Sequence, residues 1–361
     1  MDTDTVPVTG IDELDAHLDE LIADPALPPV IKLFDDVELQ LNDANIPPLI
    51  PRLLPKITEI LVQYQQDPAV LCSLAIKLLG PVSFTQIMTM ASEEALIQAL
   101  RSPAPSANLL AMAILQKAAR SPADAAILAL MNSIVSAFLT TWLSAPQVEV
   151  GEKGTKVLGD LLDTDCDVPS GATATATLNG MEIAIRANPP GQGLMWRRVF
   201  HDRDIYGLIL SLGSRGPHKS AEGGLSEQQL TLAQGRLLRL MPRLAALNLA
   251  AVSRTDFPDL NERYVSDASS DEGLLHFVAL HMVDKEDLLM HLNLVDFFEE
   301  LVSLQRITPY STFKMDTLRK LMKDAINDDD RLRSAMANLP DRTVPEEADE
   351  LRSFIREILQ L

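Results

Sequence analysis

A pair of helix-like segments recurs about every 40 residues in the first half of this 361-residue chain. Segments that begin at Pro68, Pro103 and Pro146 each place small residues inside a stripe of Leu, Val and Ile at helical spacing. Room for a partner helix follows the first two, in FTQIMTMASEEALIQAL and AAILALMNSIVSAFLTTWL. This period is typical of HEAT or armadillo repeats, in which stacked helix pairs complete a shared core. An irregular helical bundle is the alternative.

Composition and helix-start signals extend this interpretation to the whole chain. Hydrophobic residues make up 47% of the sequence and aromatic residues only 4%, with Leu and Ala abundant, which favours helices over strands. In the second half, Ser226 and Gln229 have the spacing of a capping box at the start of a long helix. We therefore predict an all-α fold, a HEAT/armadillo-like α-solenoid with one inserted β-hairpin. Its parts are N-terminal repeats over 1–165, the insertion over 166–193 and C-terminal repeats over 194–361.

The inserted hairpin is predicted from the stretch TATATLNGMEIAIR, residues 173–186. Apolar and polar residues alternate around Asn179-Gly180, which is the pattern of a two-residue type I′ turn between antiparallel strands. The register pairs six apolar residues on one face: Ala174, Ala176, Leu178, Met181, Ile183 and Ile185. Because an isolated hairpin is marginal in water, we expect this face to pack on the helices, with a partner protein as the alternative.

One uncharged segment, Ala125 to Leu143, is long enough to be weighed as a membrane span. Polar residues dilute it, no Lys/Arg cluster flanks it, and Ser121-Pro122 begins it like a capped helix. We expect a buried helix of the helical array and no membrane association.

Charge and cysteine content limit the classes of partner. With 31 Lys+Arg against 51 Asp+Glu, the net charge of −20 disfavours direct binding of nucleic acid or of anionic membranes. It suits a basic protein partner or serves solubility alone. Cys72 and Cys166 are far apart, and the acidic N-terminus lacks the features of a signal peptide. We expect a monomer in the reducing cytoplasm, with the nucleus as a second location.

No segment of the sequence carries a convincing catalytic or metal-binding pattern. In GSRGPHKS, His218 occupies the position where a phosphate-binding loop needs Gly before Lys219. His276 and His281 are five residues apart, which is not the i, i+4 spacing of a ligand pair on a helix. The acidic run 327–330 lacks the alternating ligands of a calcium loop and is interpreted as a solvated helix junction. We predict no enzyme activity, no cofactor and no bound metal.

The predicted helix Gln147 to Asp163 carries the candidate binding surface. Its buried stripe is expected to consist of Val150, Gly154, Val157, Leu158 and Leu161. The charged residues left exposed form a mostly acidic face, and one such face per repeat lines the groove of a solenoid. An ordinary solvated face is the alternative. The predicted partner-binding residues are Glu149, Glu152, Lys156, Asp160 and Asp163.

Three phrases, GEKGTKVLGDLLDTDC, LMWRRVFHDRDIYGLILSL and LLMHLNLVDFFEELVSL, resemble fungal members of the S5b-like proteasome assembly chaperone family. The yeast member of that family was first labelled a DNA mismatch repair protein. The resemblance runs from about Asp67 to Val302. It implies a C-shaped helical-repeat solenoid that cradles the C-terminal helical domain of one AAA ATPase subunit of the proteasome regulatory particle, delaying docking of the base on the core particle. The alternatives are a general solenoid adaptor and a DNA-repair factor that acts through protein contacts.

Overall fold

The computed structural model describes residues 8–167, 174–178, 181–185, 190–215, 224–264, 272–327 and 329–359. These residues are predominantly helical, which confirms the all-α prediction. The chain divides into two compact units, Met1–Arg120 and Ser121–Leu361. The division therefore falls inside the predicted N-terminal repeats, and the predicted boundaries at 165 and 193 both lie within the second unit.

The first unit is built from seven helices within its described residues. Its core is formed mostly by aliphatic side chains that recur on one face of each helix, joined by the buried aromatic residues Phe34 and Phe84. Helix packing joins the first helix to the third, and the fourth and sixth to the seventh. The helices are α1 (Ile11–Ala23), α2 (Ile31–Glu38), α3 (Ile50–Gln63), α4 (Ala69–Leu78), α5 (Phe84–Met90), α6 (Glu93–Arg101) and α7 (Pro105–Ala118).

The second unit contains the remaining helices and both strands. They are α8 (Pro122–Leu130), α9 (Asn132–Ser144), α10 (Val148–Thr164), β1 (Ala174–Leu178), β2 (Met181–Ile185), α11 (Leu194–Phe200), α12 (Arg203–Gly213), α13 (Glu227–Leu247), α14 (Leu249–Ser253), α15 (Pro258–Tyr264), α16 (Leu274–His276), α17 (Leu288–Ile307), α18 (Thr312–Ile326), α19 (Asp330–Asn338) and α20 (Pro345–Leu359). A π-helical turn, Phe277–His281, follows α16, and a 3₁₀ turn, Leu339–Arg342, follows α19.

Helix α13 is the centre of the second unit, where it packs against α9, α10 and α17. Its start confirms the predicted capping box: the Ser226 hydroxyl accepts from Gln229 N–H, and the Gln229 side chain accepts from Ser226 N–H. The Gln229 amide also donates to the Ser144 carbonyl at the end of α9. The cap thus fixes both the first turn of α13 and its position beside α9.

Two segments that the sequence predicts as single helices are each broken in two, and so is the helical segment that begins at Leu194. The first breaks between α5 and α6, where the Ser92 hydroxyl accepts from Ala95 N–H and begins a new helix. The segment from Leu194 breaks at Asp202, whose carboxylate accepts from the N–H groups of Asp204 and Ile205. In both places a side chain that can cap a helix competes with continuation of the preceding one.

The third break falls in the segment weighed as a membrane span, where α8 and α9 meet at Met131 with a bend of 93°. Within the described ranges, no single helix has the length and apolar character needed to cross a membrane. The bent pair of α8 and α9 passes such a test of length and composition only when the two are counted together.

The two strands form an antiparallel pair, with Leu178 opposite Met181 and Ala174 opposite Ile185. This is the register of the predicted hairpin. The turn residues Asn179 and Gly180 lie outside the described residues, as do the strand side chains whose packing the sequence analysis addresses.

The helices before and after the insertion are held together at Asp165, which is fully buried. Its carboxylate accepts from Gln192 N–H at 3.1 Å and from Met195 N–H at 2.5 Å, and its carbonyl accepts from Gly193 N–H at 3.0 Å. Burial raises the pKa of Asp165, although these backbone donors favour its charged form. The end of α10 and the start of α11 are therefore joined by hydrogen bonds that do not involve the strands.

Candidate functional site: the charged face of α10

The buried side of α10 is the one that the sequence predicts. Its five expected stripe residues, from Val150 to Leu161, are all buried. This side packs against α9 and α13. The spacing of apolar residues and glycines is therefore sufficient to orient the helix, since only one of its faces can be removed from water without burying charge.

Three glycines on α10 make room for large side chains of the neighbouring helices. A Cβ on Gly151 would overlap the guanidinium of Arg236, and one on Gly159 would overlap that of Arg243. A Cβ on Gly154 would overlap the indole of Trp142 on α9, whose Nε1 donates to Thr155 Oγ1 at 2.9 Å. The three glycines therefore allow two arginines and a tryptophan to pack closely against the backbone of α10.

Arg236 fills its position by binding backbone carbonyls at the end of α9. Its guanidinium donates to Trp142 O at 2.6 Å, Leu143 O at 3.2 Å, Ala145 O at 2.7 Å and Gln147 O at 3.1 Å. Burial lowers the pKa of this side chain, which is only 7% exposed. The carbonyl end of a helix carries partial negative charge, so it stabilises a buried cation here, and no carboxylate of the described residues lies at hydrogen-bond distance from Arg236.

The charged face of α10 (Glu149, Glu152, Lys156, Asp160 and Asp163) is largely engaged in ion pairs. Arg239 on α13 pairs with Glu152. Arg243 Nη2 lies 3.2 Å from Asp160 Oδ1 and 3.0 Å from Asp163 Oδ2.

Within α10, Lys156 Nζ lies 3.1 Å from Asp160 Oδ2. Glu149 is exposed and forms no ion pair with any residue that the structure describes.

These pairs change the electrostatic character of the face. Its four carboxylates are matched by four cations, since Lys153, Lys156, Arg239 and Arg243 lie among them. Burial lowers the pKa of Lys153, and the charge of Lys156 adds to this effect. The expectation of a mostly acidic face is therefore corrected to one of balanced charge. Sequence reasoning missed this because Arg239 and Arg243 lie 87 and 83 positions from the carboxylates that they contact.

The sequence analysis also considered metal-binding residues and a phosphate-binding loop. Among residues that the structure describes, no group of three or more His, Cys, Asp and Glu is arranged to hold a metal ion. His276 is buried, and His281 is exposed at the end of the π-helical turn. Most of the GSRGPHKS loop, from residue 216 onwards, lies outside the described residues.

The acidic run at 327–330 is only partly the solvated junction that the sequence predicts. Asp329 is buried, and its Oδ2 lies 2.8 Å from His291 Nε2 and 3.4 Å from Lys285 Nζ. Its Oδ1 accepts from Leu332 N–H at 2.9 Å and caps α19. This carboxylate therefore links α19 to α17 instead of facing water.

Part of the chain matches a known protein family. Residues 15–151 match the family model described as DNA mismatch repair protein HSM3, N terminal domain. No curated protein matches the chain. For this part of the chain, the match confirms the resemblance to a family whose yeast member was first labelled a DNA mismatch repair protein.

Proposed function

Because residues 15–151 match the HSM3 N-terminal domain family model, we propose that this chain is an assembly chaperone of the proteasome regulatory-particle base. In this role it binds the C-terminal helical domain of an AAA ATPase subunit and delays docking of the base on the core particle. The family match carries the proposal, and the all-helical fold agrees with it. The protein acts as a cytoplasmic and nuclear monomer without catalysis, cofactor, metal, membrane or direct nucleic-acid contact.

The proposed architecture is a HEAT/armadillo-like α-solenoid that carries the β-hairpin as an insertion. Its support is the recurrence of helix pairs in the sequence and the packing of successive helices within each unit. Small-angle X-ray scattering of the full chain tests it. An elongated, curved particle is expected, whereas the scattering profile of a compact sphere of this mass would contradict the proposal.

The charged face of α10 is the proposed contact surface. Since its charges are balanced, it favours a partner that also presents both signs, and not simply a basic one. Exposed ion pairs contribute up to ~1 kcal/mol each, so apolar contacts must supply much of the affinity. Val148, which is 64% exposed beside Glu149, is the apolar side chain best placed for this on α10.

The test is binding kinetics against purified ATPase C-terminal domains across a salt series. Replacing Glu152 and Asp160 with Lys brings four basic groups together, namely the two new lysines, Arg239 and Arg243. Association with a domain that presents Lys or Arg to this face should therefore slow. Asp349→Lys, at a 95% exposed side chain on α20, is the matched control and should leave the rate unchanged. Unchanged rates for the double variant would remove α10 from the interface, and no binding by the unmodified chain would contradict the chaperone proposal.

A DNA-repair role through protein contacts is the second candidate, and the description of the matching family favours it. Affinity capture of partners separates the candidates. Recovery of regulatory-particle ATPases without core-particle subunits supports the chaperone, and recovery of repair proteins supports the second role. Partners of neither kind would leave the general adaptor.

A further inference from the structure

An apolar groove runs along one side of α3 in the first unit. Two adjoining cavities of about 690 and 780 Å³ share the lining residues Leu54, Thr58 and Met90, so they form one continuous depression, which we call the α3 groove. One end is lined by Pro47 and Pro81. The other extends to α6 and α7, where Ile114 contributes to its lining.

Large apolar side chains remain exposed along this groove. Val62 on α3 is 77% exposed and Met90 at the end of α5 is 53% exposed, and both line it. Exposed apolar side chains are common singly, but here they border a concave apolar surface, which is typical of a binding site. A flexible Met at the edge also adapts to different apolar ligands.

The α3 groove differs from the strongly acidic chain as a whole in the charge of the residues that line it. Among the described residues that line the two cavities, none is Asp or Glu, although the sequence contains 51 of them, and Arg101 is the only charged one. Arg101 is exposed and forms no ion pair with a residue that the structure describes. A ligand that complements this surface is therefore apolar along its length and carries negative charge where it reaches Arg101.

We propose that the α3 groove binds an amphipathic helix of a protein partner, with an aliphatic stripe and one carboxylate that pairs with Arg101. The fourteen residues of α3 extend for about 21 Å, which matches about four turns of a bound helix. Such a helix buries its apolar face in the groove and keeps its polar face in water. This site lies in the first unit, and it does not depend on the function proposed for α10.

Fluorescence anisotropy with a labelled, hydrocarbon-stapled peptide tests the proposal. The probe has about 18 residues, with Leu at helical i, i+4, i+7 and i+11 spacing and one Glu near an end. A matched peptide carries Lys in place of the Glu. The full chain should bind the Glu peptide about two- to fivefold more tightly than the Lys peptide, since an exposed ion pair is worth less than ~1 kcal/mol.

Exposed positions supply variants that leave the fold intact. Val62→Asp and Met90→Asp should each weaken binding at least about tenfold, because a carboxylate would be buried against the apolar peptide. Leu39→Asp, at an 85% exposed position outside the groove, is the control and should have no effect. Arg101→Glu should reverse the preference between the two peptides.

Three results would overturn the proposal: no binding of either peptide, equal losses in Leu39→Asp and Val62→Asp, or an Arg101→Glu variant that retains the preference for Glu. Analytical ultracentrifugation provides a further test. A dimer of the unmodified chain that Val62→Asp dissociates would show that a second copy occupies the groove.

Discussion

The guanidinium of Arg236 occupies the space beside Gly151 that any Cβ at that position would need. The arginine uses this space to reach four carbonyl oxygens at the junction of α9 and α10. Gly151 on α10 therefore leaves the space that Arg236 on α13 needs, and the two residues depend on each other. Four predictions test this and other buried polar contacts.

The first prediction concerns glycine within helices. Gly151→Ala should destabilise the protein by about 1–3 kcal/mol, because it displaces Arg236 from its acceptors. Gly235→Ala is the matched control: it lies inside α13 and a Cβ there meets nothing within 4 Å. The control should stabilise by about 0.5–1 kcal/mol through helix propensity. Urea unfolding followed by tryptophan fluorescence measures both, since Trp142 and Trp196 lie in the second unit; equal effects would contradict the packing argument.

The second prediction removes the cation itself. Arg236→Met should cost about 3 kcal/mol or more, since several carbonyls at the end of α9 lose their donor in a buried site. Arg239→Met, at a 62% exposed side chain in an ion pair with Glu152, should cost less than ~1 kcal/mol. The same urea titration compares the two variants. Similar losses would indicate that Arg236 contributes only as a surface ion.

The third prediction is a pH dependence in the first unit. Lys117 donates to Gly80 O at 3.0 Å, and burial lowers its pKa from 10.5 to about 8. Between pH 8 and 10.5 the unfolded chain therefore holds a proton that the folded chain has released, so the free energy of unfolding rises with pH.

Lys117→Met should abolish about 1–3 kcal/mol of this rise, whereas Lys77→Met, at an exposed position on α4, should retain it. Chemical denaturation followed by circular dichroism at several pH values provides the measurement. A slope that persists in Lys117→Met would assign it to another group.

The fourth prediction concerns Asp329. Burial alone would raise its pKa, but hydrogen bonds from Leu332 N–H and His291, with the charges of His291 and Lys285, hold the pKa below its usual 3.8. Its contribution to stability is thus present above about pH 4 and is lost as the pH falls through the lowered pKa. Asp329→Asn should lower the free energy of unfolding by about 3 kcal/mol at pH 7. The difference in this free energy between the variant and the unmodified chain should become smaller below pH 4.

Asp330→Asn is the control for this carboxylate, because its side chain is 92% exposed and should matter little at any pH. Thermal unfolding between pH 3 and 7 makes the comparison. If the difference in melting temperature between Asp329→Asn and the unmodified chain stays constant over this range, the charge of the Asp329 carboxylate is not its cause.

Local signals in the sequence predict much of the helical structure. The capping box at Ser226 and the buried stripe of α10 are found as expected, because each depends on residues within one or two turns. The breaks at Ser92 and Asp202 are also local, and greater weight on capping side chains would have predicted them. The bend at Met131 has no such signal, since no side-chain cap begins α9.

Charge pairing across the fold could not be predicted in the same way. Apart from Asp160, which has Lys156 four residues before it on the same helix, the carboxylates of α10 look unpaired in sequence, and so does Asp329, because their partners come from other helices. A period of 3.6 residues identifies which side of a helix faces outward, but not which neighbour lies beside it. The sequence therefore predicted the wrong electrostatic character for the charged face of α10, and the role of this face in binding stays a prediction.

The hydrogen bonds at Asp165 have a consequence for how this chain can change. They join the end of α10 to the start of α11 without a contribution from β1 or β2, and the entropy of loop closure grows only slowly with loop length, so a longer intervening segment should cost little stability. Residues between Cys166 and Gly191 can therefore be lengthened, shortened or exchanged for a foreign module while both helices keep their places. This segment is therefore a practical site for grafting a reporter domain.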